Sequence, residues 1–203
     1  MIELVPDALF PSDNEWGIPS LYPALQADFV DAPVRGWGSV HRKTAMRGTW
    51  HFYVDDYKFA AIWKKPDELV KTQAISAVEV NYTTDDQMPL AVCLHRIYQK
   101  RWLARYWQAK GIRIFVDLNV AEKAESLNLL GVPAGWRSYA TSAADNALPI
   151  LLRQAEIATR QADRPDILFL VYGGGPEVQQ LCGERQWLHI ADARNAARSK
   201  SDA

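Results

Sequence analysis

Apolar and polar positions follow no sustained period over the first 45 residues, then fall into regular blocks from residue 48 onward. "TWHFYVDD" reads as a strand, "YKFAAIWKKPDELVKT" mostly as helix, and "AISAVEVNY" as β-rich. "LAVCLHRIYQKRWLARYWQAK" predicts a long helix with Pro89 in a first-turn position and Gly111 as its stop. "IRIFVDLNV" then predicts a buried strand, "EKAESLNLL" a short helix, and "RSYATS" a strand. The last third repeats the alternation: helix in "NALPILLRQAEIATRQA", strand in "DILFLVY", a glycine turn and short helix in "GGGPEVQQLCGERQ", and a final strand in "WLHIAD". Runs such as "IRIFV" and "DILFLV" are apolar throughout, which requires burial on both faces. The expected fold is therefore α/β: a single compact domain of alternating strands and helices around a mostly parallel or mixed sheet.

The irregular opening is rich in Pro and Gly but also carries Trp16, Leu21, Tyr22, Leu25, Phe29 and Trp37. That apolar area argues for a wrapping arm, with a short helix near Tyr22 to Phe29. The expected organisation is an arm over 1–45 packed on the core, an α/β core over 46–194, and a frayed polar tail over 195–203. Eight tryptophans in 203 residues suit core anchors first, and stacking platforms for bases second.

Composition narrows the function classes modestly. A net charge of -1 provides no whole-molecule attraction to nucleic acid, so any such contact needs a local patch. Cys93 and Cys182 have no paired spacing for zinc and suggest no disulfide framework, which points to a reducing, cytoplasmic setting. "MIELVPDALF" does not read as a signal peptide, and no stretch approaches membrane-spanning length, so membrane insertion is not expected. The four histidines, His41, His51, His95 and His189, show no metal-ligand spacing.

Polar residues gather at the carboxyl ends of the expected strands: Asp55 and Asp56, Glu79 and Asn81, Asp117 and Asn119, Thr141 and Ser142, and Gly173 to Gly175. Parallel sheets place ligand sites at that edge. Asp55, Asp56, Glu79 and Asp117 are candidate catalytic carboxylates, with Asp55 and Asp117 as ligands of Mg²⁺ or another divalent cation. The alternative is that Asp56 caps the helix that follows it and Asp117 caps its own turn. "FYVDDYKF" also reads like the catalytic turn of a reverse transcriptase, but 51 preceding residues are too few for a polymerase palm.

The long helix interleaves cations with aromatics on every face. Leu94, Tyr98, Arg101 and Arg105 share one side, with Arg96, Lys100, Leu103 and Trp107 roughly opposite. Guanidinium groups beside Tyr and Trp suit phosphate clamping and base stacking, which makes Arg96, Lys100, Arg101 and Arg105 candidate phosphate contacts. The alternative is internal pairing with the strand-end carboxylates. "HRKTAMR" adds His41, Arg42, Lys43 and Arg47 shortly before the first predicted strand, as a basic patch or a solvated loop. "VYGGGPEV" offers Gly173, Gly174 and Gly175 as an anion cradle at a helix start, or simply as a tight turn.

The phrases "WGIPSL", "GWGSVHRKTAMRGTWHFYVDDYKF", "AVEVNY", "IYQKRWLARYWQAKGIRIFVDLNV", "LLGVPAGWRSYAT" and "VYGGG" together resemble an uncharacterised domain family of bacteria, plasmids and phages. The chain also resembles the fertility-inhibition, or oncogenic-suppression, proteins of conjugative plasmids. That second resemblance implies a ParB/sulfiredoxin-like α+β core with a helical extension and some antiparallel strand neighbours. It further implies ATPase and DNase activities, and a block on transfer through a type IV secretion coupling protein. Sulfiredoxin's reactive cysteine motif is absent, since "GWGSVHR" holds no cysteine. The expectation is thus a cytoplasmic mobile-element protein that binds DNA or nucleotide phosphates such as ATP, with metal-dependent cleavage as the implied chemistry. The second reading is a non-enzymatic inhibitor of a secretion or replication partner, acting by surface contact.

Overall fold

A computed structural model describes residues 10–39, 45–144 and 147–192. The basic run at His41, Arg42 and Lys43, and the expected tail over 195–203, lie outside the described residues. Seven strands run parallel in chain order: β1 (Val34–Gly36), β2 (Thr49–His51), β3 (Ser76–Val78), β4 (Arg113–Asp117), β5 (Ser138–Ala143), β6 (Leu168–Gly173) and β7 (Leu188–Ile190). Helices α1 (Asp56–Phe59), α2 (Asp67–Lys71), α3 (Leu90–Gln108), α4 (Leu148–Ala162) and α5 (Pro176–Arg185) fill the connections. The alternation read from the hydrophobic pattern is realised almost element for element. The antiparallel neighbours that a ParB/sulfiredoxin-like core would bring do not occur: each named strand pairs in parallel. Parallel pairing needs a long crossover between successive strands, and from β2 onward segments that carry helices supply it, with the 3-10 segment Glu122–Leu127 after β4.

The chain divides into two compact units, Met1–Phe115 with Val120–Pro133, and Val116–Asn119 with Ala134–Ala203. In the first, β1, β2, β3 and the start of β4 form the ladder, and aromatic rings fill the core. Phe52 stacks on Trp107 at 5.6 Å and on Trp37 at 5.7 Å, and Trp37 meets Trp50 edge-on at 5.2 Å. Such pairs add about 0.5–1.5 kcal/mol each beyond area burial. The indole N–H groups are satisfied, with Trp50 Nε1 donating to Thr72 Oγ1 and Trp107 Nε1 to the Pro66 carbonyl. Of the arm's tryptophans, Trp37 is core, whereas Trp16 is 51% exposed.

The arm is ordered by buried side chains. Gln108 at the end of α3 accepts from the Tyr22 N–H at 2.7 Å and donates to the Tyr22 and Leu25 carbonyls at 3.0 and 3.1 Å. Asp31, 7% exposed, accepts from Ser76 Oγ at 2.8 Å and from Arg113 at 3.0 Å, while Thr49 Oγ1 donates to its carbonyl. The amino ends of β2, β3 and β4 are thereby tied to the arm. The helix expected near Tyr22 to Phe29 is only a 3-10 turn, Pro23–Leu25. Further on, the arm contributes β1, which no local periodicity announces because it is three residues long and depends on β2 for pairing.

In the second unit the end of β4 pairs with β5, and β5, β6 and β7 continue the ladder, with six register pairs between β5 and β6. Leu151, Ala155, Ala158 and Ala162 form the buried face of α4, a spacing of three and four residues.

Replacing Gln108 with Leu removes the acceptor of the Tyr22 N–H and a donor to the Tyr22 and Leu25 carbonyls. The expected cost is about 1–3 kcal/mol, read as a lower urea midpoint at unchanged slope. A loss below about 0.5 kcal/mol would show that other contacts hold the arm.

Candidate functional site

The "FYVDDYKF" stretch leaves β2 and opens α1. Asp55 stands just before the helix without a capping bond, and its carboxylate lies 3.5 Å from Lys58 Nζ. Asp56 accepts from the Thr83 hydroxyl at 2.8 Å and from its N–H at 3.3 Å, tying the start of α1 to the loop after β3. Neither carboxylate caps α1. Glu79, just past β3, is fully buried and pairs with Arg101 Nη1 at 2.6 Å.

The rest of the Arg101 guanidinium is spent on backbone: Nη2 donates to the Asn128 carbonyl at 2.7 Å and Nε to Leu130 at 3.2 Å. Arg101 is 0% exposed, so the internal-pairing alternative is the one realised there. The reason lies in α3, which from Gln99 onward buries Gln99, Lys100, Arg101, Trp102, Leu103, Ala104, Trp107 and Gln108. A helix enclosed on most sides shows no apolar stripe, and its charged positions then have to be satisfied inside. Lys100 is 3% exposed. Arg96 lies over the Tyr82 ring at 5.1 Å and donates to Gln99 Oε1, and Arg105 lies over Phe10 at 4.9 Å. Of the α3 cations, Arg96 and Arg105 thus lie against rings from outside the helix, and Arg101 against Glu79.

Among the described residues, no group of three or more His, Cys, Asp or Glu is placed to hold a metal ion. Asp117, buried at the end of β4, accepts from the Asn119 N–H at 3.2 Å, a bond inside its own turn.

The second unit assembles a polar relay at the carboxyl ends of β4 and β5. Thr141 Oγ1 lies 2.8 Å from Asn119 Oδ1 and 2.7 Å from Gln154 Oε1. The Gln154 amide donates to the Leu118 carbonyl at 3.3 Å, and Asn119 Nδ2 donates to Ser142 Oγ at 2.8 Å. Asn119 and Ser142 are half-buried, so the relay runs from the interior at Gln154 to a partly open hydroxyl. Beside it, Ala143 is the register partner of Gly173. Gly173 and Gly174 both take left-handed backbone, at φ 78° and 81°, and a Cβ on Gly174 would meet Val178 Cβ at 2.7 Å. Only glycine fits there. Gly175 then caps α5 with no side-chain bond to its first turn.

Three further side chains stand at this turn that the sequence reading did not select. His189 Nε2 donates to the Gly173 carbonyl at 2.9 Å, and Tyr172 Oη lies 3.3 Å from Asp192 Oδ1. The strand-end rule that picks Asp117 would also pick Asp192, which follows β7 in "WLHIAD".

A family described as a domain of unknown function (DUF4417) has a profile that matches residues 10–143. The match covers the carboxylates, α3, Asn119 and Ser142, and stops before the glycine turn. The chain is similar to the "Gene 1 protein" of Mycobacterium phage D29, 34% identical over 110 residues, 52% of this chain and 40% of that protein. It is equally similar to the "Gene 1 protein" of Mycobacterium phage L5, 34% identical over 52% of this chain and 47% of that protein. The chain thus spans less than half the length of these relatives. No solved structure gives a significant match.

Two outcomes test this geometry. Arg101→Leu strands the Glu79 carboxylate in the core and costs about 3–5 kcal/mol in urea unfolding, while Glu79→Leu with Arg101→Leu costs less. A double variant as unstable as the single would contradict the pairing. Burial pushes the Cys182 thiol up to about 11. The folded state therefore keeps this proton where the unfolded thiol has lost it. The resulting stability is complete below the unfolded value near 9 and is lost as pH rises toward about 11. Native Cys182 should resist iodoacetamide at pH 8, as peptide mass mapping would show, and rapid labelling would contradict that burial.

Proposed function

The chain belongs to that family, and on this premise we propose that it is a mobile-element protein that binds nucleotide phosphates at the carboxyl edge of β4, β5 and β6. The observation that carries the reading is the relay from Gln154 through Thr141 and Asn119 to Ser142, set beside the turn at Gly173 and Gly174. A buried relay holds the terminal hydroxyl and amide in one orientation, the preorganisation a polar ligand needs. The first-turn amides of α5 supply donors for a phosphate oxygen.

The acids nearby decide between ligands. Asp192 stands at the turn and Glu177 in the first turn of α5, and both oppose a bare polyanion. A nucleotide carries hydroxyl and amino donors as well as phosphate, and it suits this mixed set better than a DNA backbone does. ATP is the representative ligand. Glu79 is engaged by Arg101 and Asp56 by Thr83, so the proposal draws on neither, and the activity proposed is binding.

A second reading, contact inhibition of a conjugation or replication partner, is favoured by the exposure of Trp16, Tyr22 and Phe29 at 51%, 54% and 54%. Fertility inhibition is the form of it that the plasmid-protein resemblance suggests.

Isothermal titration with ATP, inorganic phosphate and a single-stranded oligonucleotide tests the first reading. Saturable ATP binding is expected, weakened about fivefold by Ser142→Ala, the value of one hydrogen bond. Absence of nucleotide binding, or a Ser142→Ala variant that binds as wild type, would overturn it. Oligonucleotide binding that falls steeply with salt would move the ligand to DNA.

A further inference from the structure

The register between β6 and β7 ends at Tyr172 and Ile190, one residue before Gly173, so the ladder stops where the glycine turn begins. His189 is half-buried on β7 as the register partner of Val171. Its side chain reaches two residues further along β6 and donates from Nε2 to the Gly173 carbonyl at 2.9 Å. The turn needs such a fixture. Gly173 and Gly174, at φ 78° and 81°, use a region that glycine enters and leaves at little cost, so these residues do not hold their own shape. Gly174 lies so close to Val178 that an added Cβ has no room, which means that the path of the turn also sets where α5 begins. Pro176 has no N–H, and this leaves the Glu177 and Val178 amides as the first unpaired donors within that helix.

From this we infer that His189 is a positioning residue of the nucleotide site: its bond to Gly173 fixes the turn and so aims the Glu177 and Val178 amides at the phosphates. The inference rests on the nucleotide reading above and adds to it the group that holds the phosphate end in place. His189 acts through the backbone, because its Nε2–H is spent on the Gly173 carbonyl. A donor fixed before the ligand arrives spares the ligand the cost of ordering the turn.

Isothermal titration of the full chain with ATP, on wild type, His189→Phe and His189→Gln, tests this. Phe keeps a flat ring at the position and removes the donor, whereas Gln carries an amide Nε2 at similar reach. His189→Phe should weaken ATP binding about fivefold, the value of one hydrogen bond, and His189→Gln should return it to within about twofold of wild type. A wild type that binds ATP while His189→Phe binds it equally well would overturn this inference and leave the nucleotide reading standing. So would a loss in His189→Phe that His189→Gln does not restore, since the ring's shape and not its donor would then matter. A wild type that binds no ATP removes both. One measurement needs no variant: long-range proton–nitrogen NMR of the neutral imidazole reads its tautomer. The Nε2–H form is expected, and an Nδ1–H ring, unable to donate to Gly173, would overturn the inference whatever the variants do.

Discussion

Parallel pairing governs how this chain must be built. Two parallel neighbours cannot be joined by a tight turn, so each strand has to be followed by a segment long enough to return to the starting edge. From β2 onward those segments carry the helices, and strands covered by helices are buried along most of their length, as "IFV" in β4 and "FLV" in β6 are. The same constraint directs successive strands to end at one edge of their ladder. In the second unit that edge collects Asn119, Ser142 and Gly173. The strand order equals the chain order, so it contains no reversal to make a switch-point crevice. The site has to be made by side chains and turns at the strand ends.

The first unit shows how costly polar groups are made tolerable in an interior. Arg101 and Glu79 lose all contact with water, a large desolvation penalty that their mutual attraction alone does not repay. The additional bonds from Arg101 to the Asn128 and Leu130 carbonyls satisfy donors that would otherwise be stranded. They also tie the chain after β4 to the middle of α3, joining segments far apart in sequence. Gln108 and Asp31 do the same for the arm, each with several bonds from one buried side chain. The polar interior of this unit is thus mainly a fastening system for irregular backbone, whose N–H and C=O groups lack ladder partners.

The family match ends at Ala143, inside β5's last position, while the nucleotide site proposed above also draws on the turn after β6. The relay half of the site lies within the matched region and the glycine half beyond it. A ligand contacted through both would depend on the last third of the chain for its phosphate donors. The phage relatives align over about half of this chain, and most of their own length lies outside the alignment, so activities of those larger proteins need not reside in the shared part.

By itself the sequence determined the order of elements from residue 48 onward and an α/β alternation around a mostly parallel or mixed sheet, because two periodicities and a few Gly and Pro stops are local signals that packing reinforces here; that every pairing is parallel came from the tertiary structure. It also marked the strand ends where polar residues collect. The three-residue β1 was not legible, since a strand that short exists only through its pairing with β2. Nor was the direction of the α3 cations: a wheel shows which residues share a face but not which faces are enclosed. The tertiary structure alone decided that Arg101 turns inward to Glu79, that Asp56 binds Thr83, and that Ser142, Asn119 and Gln154 form one relay. These are contacts between residues 20 to 40 positions apart, and their energies depend on desolvation and orientation, which linear spacing does not encode.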